Sequence, residues 1–223
     1  MKSSKLFFTI MAACLVMTSC AKHKNVQITR NYEVQAFQAI DLDGVANIIY
    51  TQGDSFAVRA EGDSVQITRT DIKVEDGCLK IRQQNGKGDK QQVDIYITTP
   101  TLVKVEMDGV GSFKSQKPVT FANDLKIEAE GVGSVEISDL TCKTLDFDQE
   151  GVGSSTLKVK CETALFHCEG VGSCDLDINA DILKVKSEGV GTVKVKGHVK
   201  SYERYSGGIT SKISDKALEV DEK

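Results

Sequence analysis

Carboxylates recur at one fixed place along this chain. Asp108, Glu130, Glu150, Glu169 and Glu188 each stand directly before a Gly-Val-Gly-Ser or Gly-Val-Gly-Thr phrase. If these phrases stack in register at about 4.8 Å per step, the five side chains form a column of negative charge. Such a ladder could coordinate a divalent cation, because Ca²⁺ accepts carboxylate and carbonyl oxygens in flexible geometry. The competing reading is a solvated corner. Like charges at a wet surface are screened, lysines are plentiful nearby, and the Gly-Gly-x-Gly-x-Asp nonapeptide of calcium-binding solenoids is absent. The solvated corner is the stronger of the two, so the sequence assigns no metal and no cofactor.

The other residue types that carry chemistry read the same way. Beyond Cys20 the cysteines are Cys78, Cys142, Cys161, Cys168 and Cys174, at spacings unlike those of a zinc site. Cys142 and Cys161 hold the place that Ala122 and Ala180 hold in other repeats, which suits small inward residues. Stacked Cα atoms also fall within disulfide range, and an exported chain meets an oxidising compartment. Bonds between Cys142 and Cys161, or across one corner between Cys168 and Cys174, therefore stay open beside plain packing. His167 faces outward with Asp148 one repeat below, a surface pair without a serine-nucleophile motif. Gly-Val-Gly-Ser resembles glycine-rich phosphate loops, but those open a helix and here a strand follows. Enzymes built on β-helices take their sites from long inserted loops and clustered Asp, Arg or Lys. These repeats are short, and no Arg occurs between Arg82 and Arg204. No catalytic residue is assigned.

The elements that must position these side chains follow from the period. The first glycines, Gly109, Gly131, Gly151, Gly170 and Gly189, are spaced by 22, 20, 19 and 19 residues, as in a solenoid. Before each turn, apolar residues alternate with polar ones. Val105, Ile127, Phe147, Phe166 and Val185 make one inward column, and Val103, Leu125, Leu145, Ala164 and Leu183 make another. After the turn, Phe113, Val135, Ser155, Cys174 and Val193 continue the inward set, followed by Ser115, Ile137, Leu157, Leu176 and Val195. Two strands per repeat of 19 to 20 residues match one coil of a parallel β-helix. The corner glycines, including Gly111, Gly133, Gly153, Gly172 and Gly191, would serve a sharp bend with no room for a Cβ against the next coil. The valines between them, Val110, Val132, Val152, Val171 and Val190, are expected to peg the corner from inside. Weaker copies of the phrase stand at Asp43 to Asn47 and at Ser206 to Thr210, as terminal repeats require.

The first third is less regular. Ile72 to Ile81 alternates on either side of Asp76-Gly77, the signature of an antiparallel hairpin. A loop is expected over 83–92, then a strand with Val93, Ile95 and Ile97 that Pro100 ends. This portion should cover one open end of the stack, whose bare strand edge would invite aggregation. The fold class is thus all-β: a β-helical array over 101–213 with an irregular β portion over 31–100, followed by a tail over 214–223. Residues 1–19 have the layout of a secretion signal, with Lys2, Lys5 and an apolar run from Leu6 to Val16. Met17-Thr18-Ser19-Cys20 resembles the lipobox of bacterial lipoproteins, which implies a diacylglycerol on Cys20, a lipidated tether over 20–30 and the membrane as a partner. Ala21 after that cysteine resembles outer-membrane sorting. The charge of −4, from 28 basic and 32 acidic residues interspersed, shows no basic patch and gives no support for nucleic acid.

The run Tyr32 to Leu42, the Val74 to Ile81 hairpin, the Ile95 to Pro100 segment before Leu102 and the repeated Gly-Val-Gly-Ser together resemble one family, "putative auto-transporter adhesin, head GIN domain". The resemblance covers roughly residues 30 to 213. It implies an all-β fold with a right-handed β-helical part and an adhesin-like role, and it carries no catalytic or ligand residues. The expected partner is a glycan or another protein. A structural or self-associating envelope component is the alternative, and a polysaccharide-acting enzyme ranks last.

Overall fold

A chain in which valine, isoleucine and threonine alternate with lysine and acid can bury one face of a strand and wet the other. The structure, a computed structural model, describes residues 26–83, 92–208 and 210–221. The signal segment, Cys20, residues 84–91 of the expected loop and Ile209 of the last repeat lie outside the described residues. Among the described residues, the strands and the one helix in chain order are β1 Gln27–Tyr32, β2 Ala39–Gln52, β3 Ala57–Asp63, α1 Ser64–Arg69, β4 Thr70–Glu75, β5 Cys78–Gln83 and β6 Val93–Thr99. They continue as β7 Lys104–Ser115, β8 Val119–Thr120, β9 Leu125–Thr141, β10 Thr144–Cys168, β11 Val171–Ser187, β12 Val190–Ser206 and β13 Thr210–Val220. Together they form a parallel β-solenoid of about six turns with an irregular amino-terminal β region.

The long strands do not stop at the corners. Pairing between β7 and β9 runs unbroken from Lys104 with Lys126, through Gly109 with Gly131 and Val110 with Val132, to Ser115 with Ile137. The same register continues through β10, β11 and β12, with Gly151 on Gly131 and Val190 on Val171. At the second glycine of each corner, a Cβ would collide with the coil below: on Gly133 it would lie 1.7 Å from the carbonyl oxygen of Gly111. Gly109 has φ +133°, a backbone state that other residues rarely enter.

Both inward columns after the turn are buried, as is the Val105 column before it. Three expectations about which side chains face inward need correction. The corner valines point outward: Val110, Val132, Val152, Val171 and Val190 are 41%, 51%, 51%, 50% and 48% exposed. The cause is the period-two alternation itself, which passes through the corner without a break. Counting from buried Val105 to buried Phe113, the glycines take the inward places and the valine between them falls outside. Val103 is exposed and Leu102 is buried in its stead, because β7 begins only at Lys104 and alternation has not yet started. Ala122 is also exposed, and the longer first coil turns Phe121 inward.

The amino-terminal region is threaded out of order. β2 lies between β7 on one side and, on the other, β5 and β6, which share its length: β5 pairs with Ala39 to Asp43 and β6 with Ala46 to Gln52. Gly44 stacks on Gly109 and Val45 on Val110, so the weak first copy of the phrase is a true coil. Antiparallel β4 covers β5, while β3 covers β6 and β1 covers β3. The β4–β5 hairpin turns on Asp76 and Gly77, both with positive φ, as a two-residue type I′ turn requires. Beside that turn Lys73 and Lys80 hold the Glu75 carboxyl down to about 2. Between β3 and β4 lies α1, absent from the sequence reading; Asp63 caps it by accepting from the Val65 amide, and Ile67 is buried against the core.

At the other end β13 stacks parallel on β12 and runs on to Val220, through residues that the sequence assigned to a tail. The last corner sits later than the glycine pair suggested, with Thr210 on Val190 and Ser211 on Gly191.

Behind each corner two inward positions face one another, six residues apart, and in the middle coils they are buried and polar. Ser155 donates to Gln149, whose amide donates to the carbonyl of Gly153. One coil on, the sulfurs of buried Cys168 and Cys174 lie 2.8 Å apart. The neighbouring Cys161 sulfur and burial push the Cys142 thiol up, Cys142 in turn holds the Cys161 thiol down against its burial, and burial raises Cys78.

Two outcomes follow. Gly133→Ala should destabilise the fold by more than about 2 kcal/mol, while Val132→Ser should stay within about 0.5 kcal/mol, the range of an exposed change. Urea denaturation measures both, and a large loss in Val132→Ser would return the valine to the interior. Under reducing conditions at pH 8, iodoacetamide should modify Cys161 first and Cys142, Cys168 and Cys174 last, because the reactive form is the accessible thiolate; peptide mapping reads the order.

Candidate functional site

Three columns run side by side along the outer corner. The carboxylates Asp108, Glu130, Glu150 and Glu169 are exposed, and Glu188 is half-buried. Next come the exposed valines, then the hydroxyl residues Ser134, Ser154, Ser173 and Thr192. Ser112, first in that third column, is buried and donates to the Asn47 side chain at 2.9 Å. The register that stacks the glycines aligns all three columns, so five valines make an apolar rail about 19 Å long, at about 4.8 Å per coil.

In the outward column two residues before those carboxylates, the charges are largely paired. Lys104 bridges Glu106 and Glu128 at 2.9 and 2.8 Å, and Lys126 also reaches Glu128. These contacts hold the Glu128 carboxyl below its usual range. The Glu188 carboxyl is lowered by Lys186 and then by His167. Of the expected cation ladder, Glu169 and Glu188 come together with a third ligand type, because His167 lies between them. The sequence reading put His167 and Asp148 in one outward column, and their atoms are 3.3 Å apart. It missed that period two also sets His167 beside Glu169 on the same outward face.

Aromatic side chains at the surface offer no shared platform for stacking among the described residues. Tyr32, Phe56 and Tyr96 line a groove in the amino-terminal region, but the Arg59 guanidinium sits 4.2 Å over Tyr96 and that of Arg30 sits 5.0 Å over Tyr32. Phe56 packs against buried Phe37. Tyr205 is 57% exposed, whereas Tyr202 packs against the core, so the two tyrosines of β12 form no shared platform. Among the described residues, the valine rail is an uncovered apolar feature held in register.

Among solved structures, this fold is similar to a "putative adhesin" from Bacteroides fragilis, at 26% identity and a TM-score of 0.73, over 86% of this chain and 98% of that one. A "putative adhesin" from Parabacteroides distasonis is similar at 19% identity and a TM-score of 0.47, over 86% of this chain and 98% of that one. A "putative lipid binding protein" from the same species gives 16% identity and a TM-score of 0.48, over 88% and 97%. No curated protein matches the chain. With its coils, hairpin and glycine corners in the expected order, and with residues 36–214 matched by the family profile, the chain belongs to the family described as "Putative auto-transporter adhesin, head GIN domain".

Proposed function

We propose that this protein is a non-enzymatic binding module of the cell envelope, anchored by lipid on Cys20 and adhesin-like in action, with the valine rail as its contact surface. The observation that carries the reading is the exposure of five in-register valines, each 41% or more open to solvent. A corner needs small backbone at its glycines, but it does not need an aliphatic side chain outside them. A continuous apolar stripe rimmed by polar columns is the usual form of an interaction surface. Its sides differ, acid on one and hydroxyl on the other, which would orient a partner across it. The similarity to the "putative adhesin" from Bacteroides fragilis supports the same class.

The outer membrane is the membrane proposed for the anchor. A structural or self-associating role is the second reading. What favours it is β13, which stands at the end of the sheet order and so leaves an edge open among the described residues.

Protease shaving of intact cells tests the first reading: the protein should be cleaved without lysis, and full protection would contradict adhesion to anything outside the cell. The purified mature chain, screened on arrays of glycans and matrix proteins, should find a partner whose binding falls at least about tenfold in Val132→Lys/Val152→Lys, a loss of about 1.4 kcal/mol. Undiminished binding by that variant would remove the rail from the account. Mass that rises with concentration in light scattering, with no array partner, would favour the second reading.

A further inference from the structure

We infer that His167, Glu169 and Glu188 form a binding site for a zinc-class divalent cation at the carboxy-terminal end of the corner face. His167 ends β10, Glu169 lies in the short turn before β11, and Glu188 follows β11 one coil on. The His167 Nε2 atom is 3.2 Å from a Glu188 carboxylate oxygen and 3.8 Å from one of Glu169. One ligand atom from each residue lies within 4.8 Å of the others. A tetrahedral zinc with bonds of about 2.0–2.1 Å holds its ligand atoms about 3.3 Å apart, so the three donors stand close to the spacing that the ion requires.

The second observation lies behind the ring. The Asp148 Oδ1 atom is buried and has no hydrogen-bond partner, although His167 Nδ1 is only 3.3 Å away; the ring's hydrogen bond runs instead between Nε2 and Glu188, at 3.2 Å. A neutral imidazole carries one N–H and one lone pair. Moving the ring proton from Nε2 to Nδ1, on the side of the unpartnered Asp148 oxygen, leaves the Nε2 lone pair facing two carboxylates. Three lone-pair donors then converge on one point, an arrangement that a cation completes. A carboxylate behind a histidine whose far nitrogen faces the metal is the usual orienting contact of zinc sites.

The donor set selects the ion. One imidazole nitrogen with two carboxylates suits zinc and its neighbours in the transition series, whereas Ca²⁺ takes six to eight oxygens. Three protein ligands leave a position for water or for a group on a partner. Lys186 is the built-in competitor, since its ammonium pairs with the same Glu188 oxygen at 2.5 Å, and a metal must displace it. Lys186 is about half exposed and free to swing into solvent.

Titration calorimetry of the metal-free mature chain with zinc chloride alone, near pH 7.5, tests the site. One equivalent should bind with a Kd in the micromolar range and raise the melting temperature. Asp148→Asn should weaken binding by about 10- to 100-fold. His167→Gln should lose more than that while keeping the circular dichroism spectrum, because the side chain points outward. Lys186→Gln should bind more tightly than the parent. No binding by the parent up to millimolar zinc, or binding by His167→Gln equal to that of the parent, would overturn the assignment.

Discussion

A carbonyl oxygen of one coil occupies the space where the next coil's corner residue would carry its Cβ. At Gly111, Gly133, Gly153, Gly172 and Gly191 the clearance to that oxygen is only 1.7, 1.7, 1.8, 1.7 and 1.9 Å, well inside any non-bonded contact. Only hydrogen fits there, so glycine is fixed at each corner and the backbone ladder passes through without a gap. Because the ladder is continuous, alternation is continuous as well, and what stands between the glycines must face outward. The rail of valines is therefore a geometric consequence of the close backbone approach that lets the coils stack, and its chemistry is left open for recognition.

The coil architecture was legible because it depends on a period and an alternation, both of which a sequence displays. The columns through Val105 and Phe113 could be read residue by residue, and so could the Asp76-Gly77 hairpin, where two positive φ values demand those residue types. The valines were misread because a sharp corner suggests a plug, although the same count of two that placed Val105 and Phe113 inside already placed Val110 outside. Val103 and Ala122 failed for a different reason: both lie at ends of the longer first coil, where strand boundaries and not alternation decide which side chain turns in. α1 carries β-branched residues at Val65, Ile67 and Thr68 and has little local signal beyond its Asp63 cap; the open end of the core that Ile67 covers supplies the reason for a helix there. The interleaving of β2 between β7 and the β5–β6 pair is a long-range choice that no local pattern records.

The candidate sites divide along the same line. Carboxylates in register were visible as a column, but which of them would gather other ligands depended on the neighbouring outward column, where Glu106, Glu128, Asp148, His167 and Lys186 succeed one another. In the early coils lysines neutralise the acids of this face. Only where histidine replaces acid or lysine in that column does the face present nitrogen and oxygen donors together. A regular scaffold thus obtains local chemistry from single changes in a repeated position, with no inserted loop and no change in the backbone that carries it.

The central claim is that parallel coils in register carry the valines on one outer corner. Nitroxide labels at Val110→Cys and Val190→Cys, in a background lacking the other mature cysteines, measure it by pulsed electron resonance. Four coil steps of about 4.8 Å put the two backbones about 19 Å apart, and labels on the outside should be mobile in the continuous-wave spectrum. A separation near 38 Å, which two strands per step in an antiparallel meander would give, or labels immobilised as in a packed interior, would contradict the account.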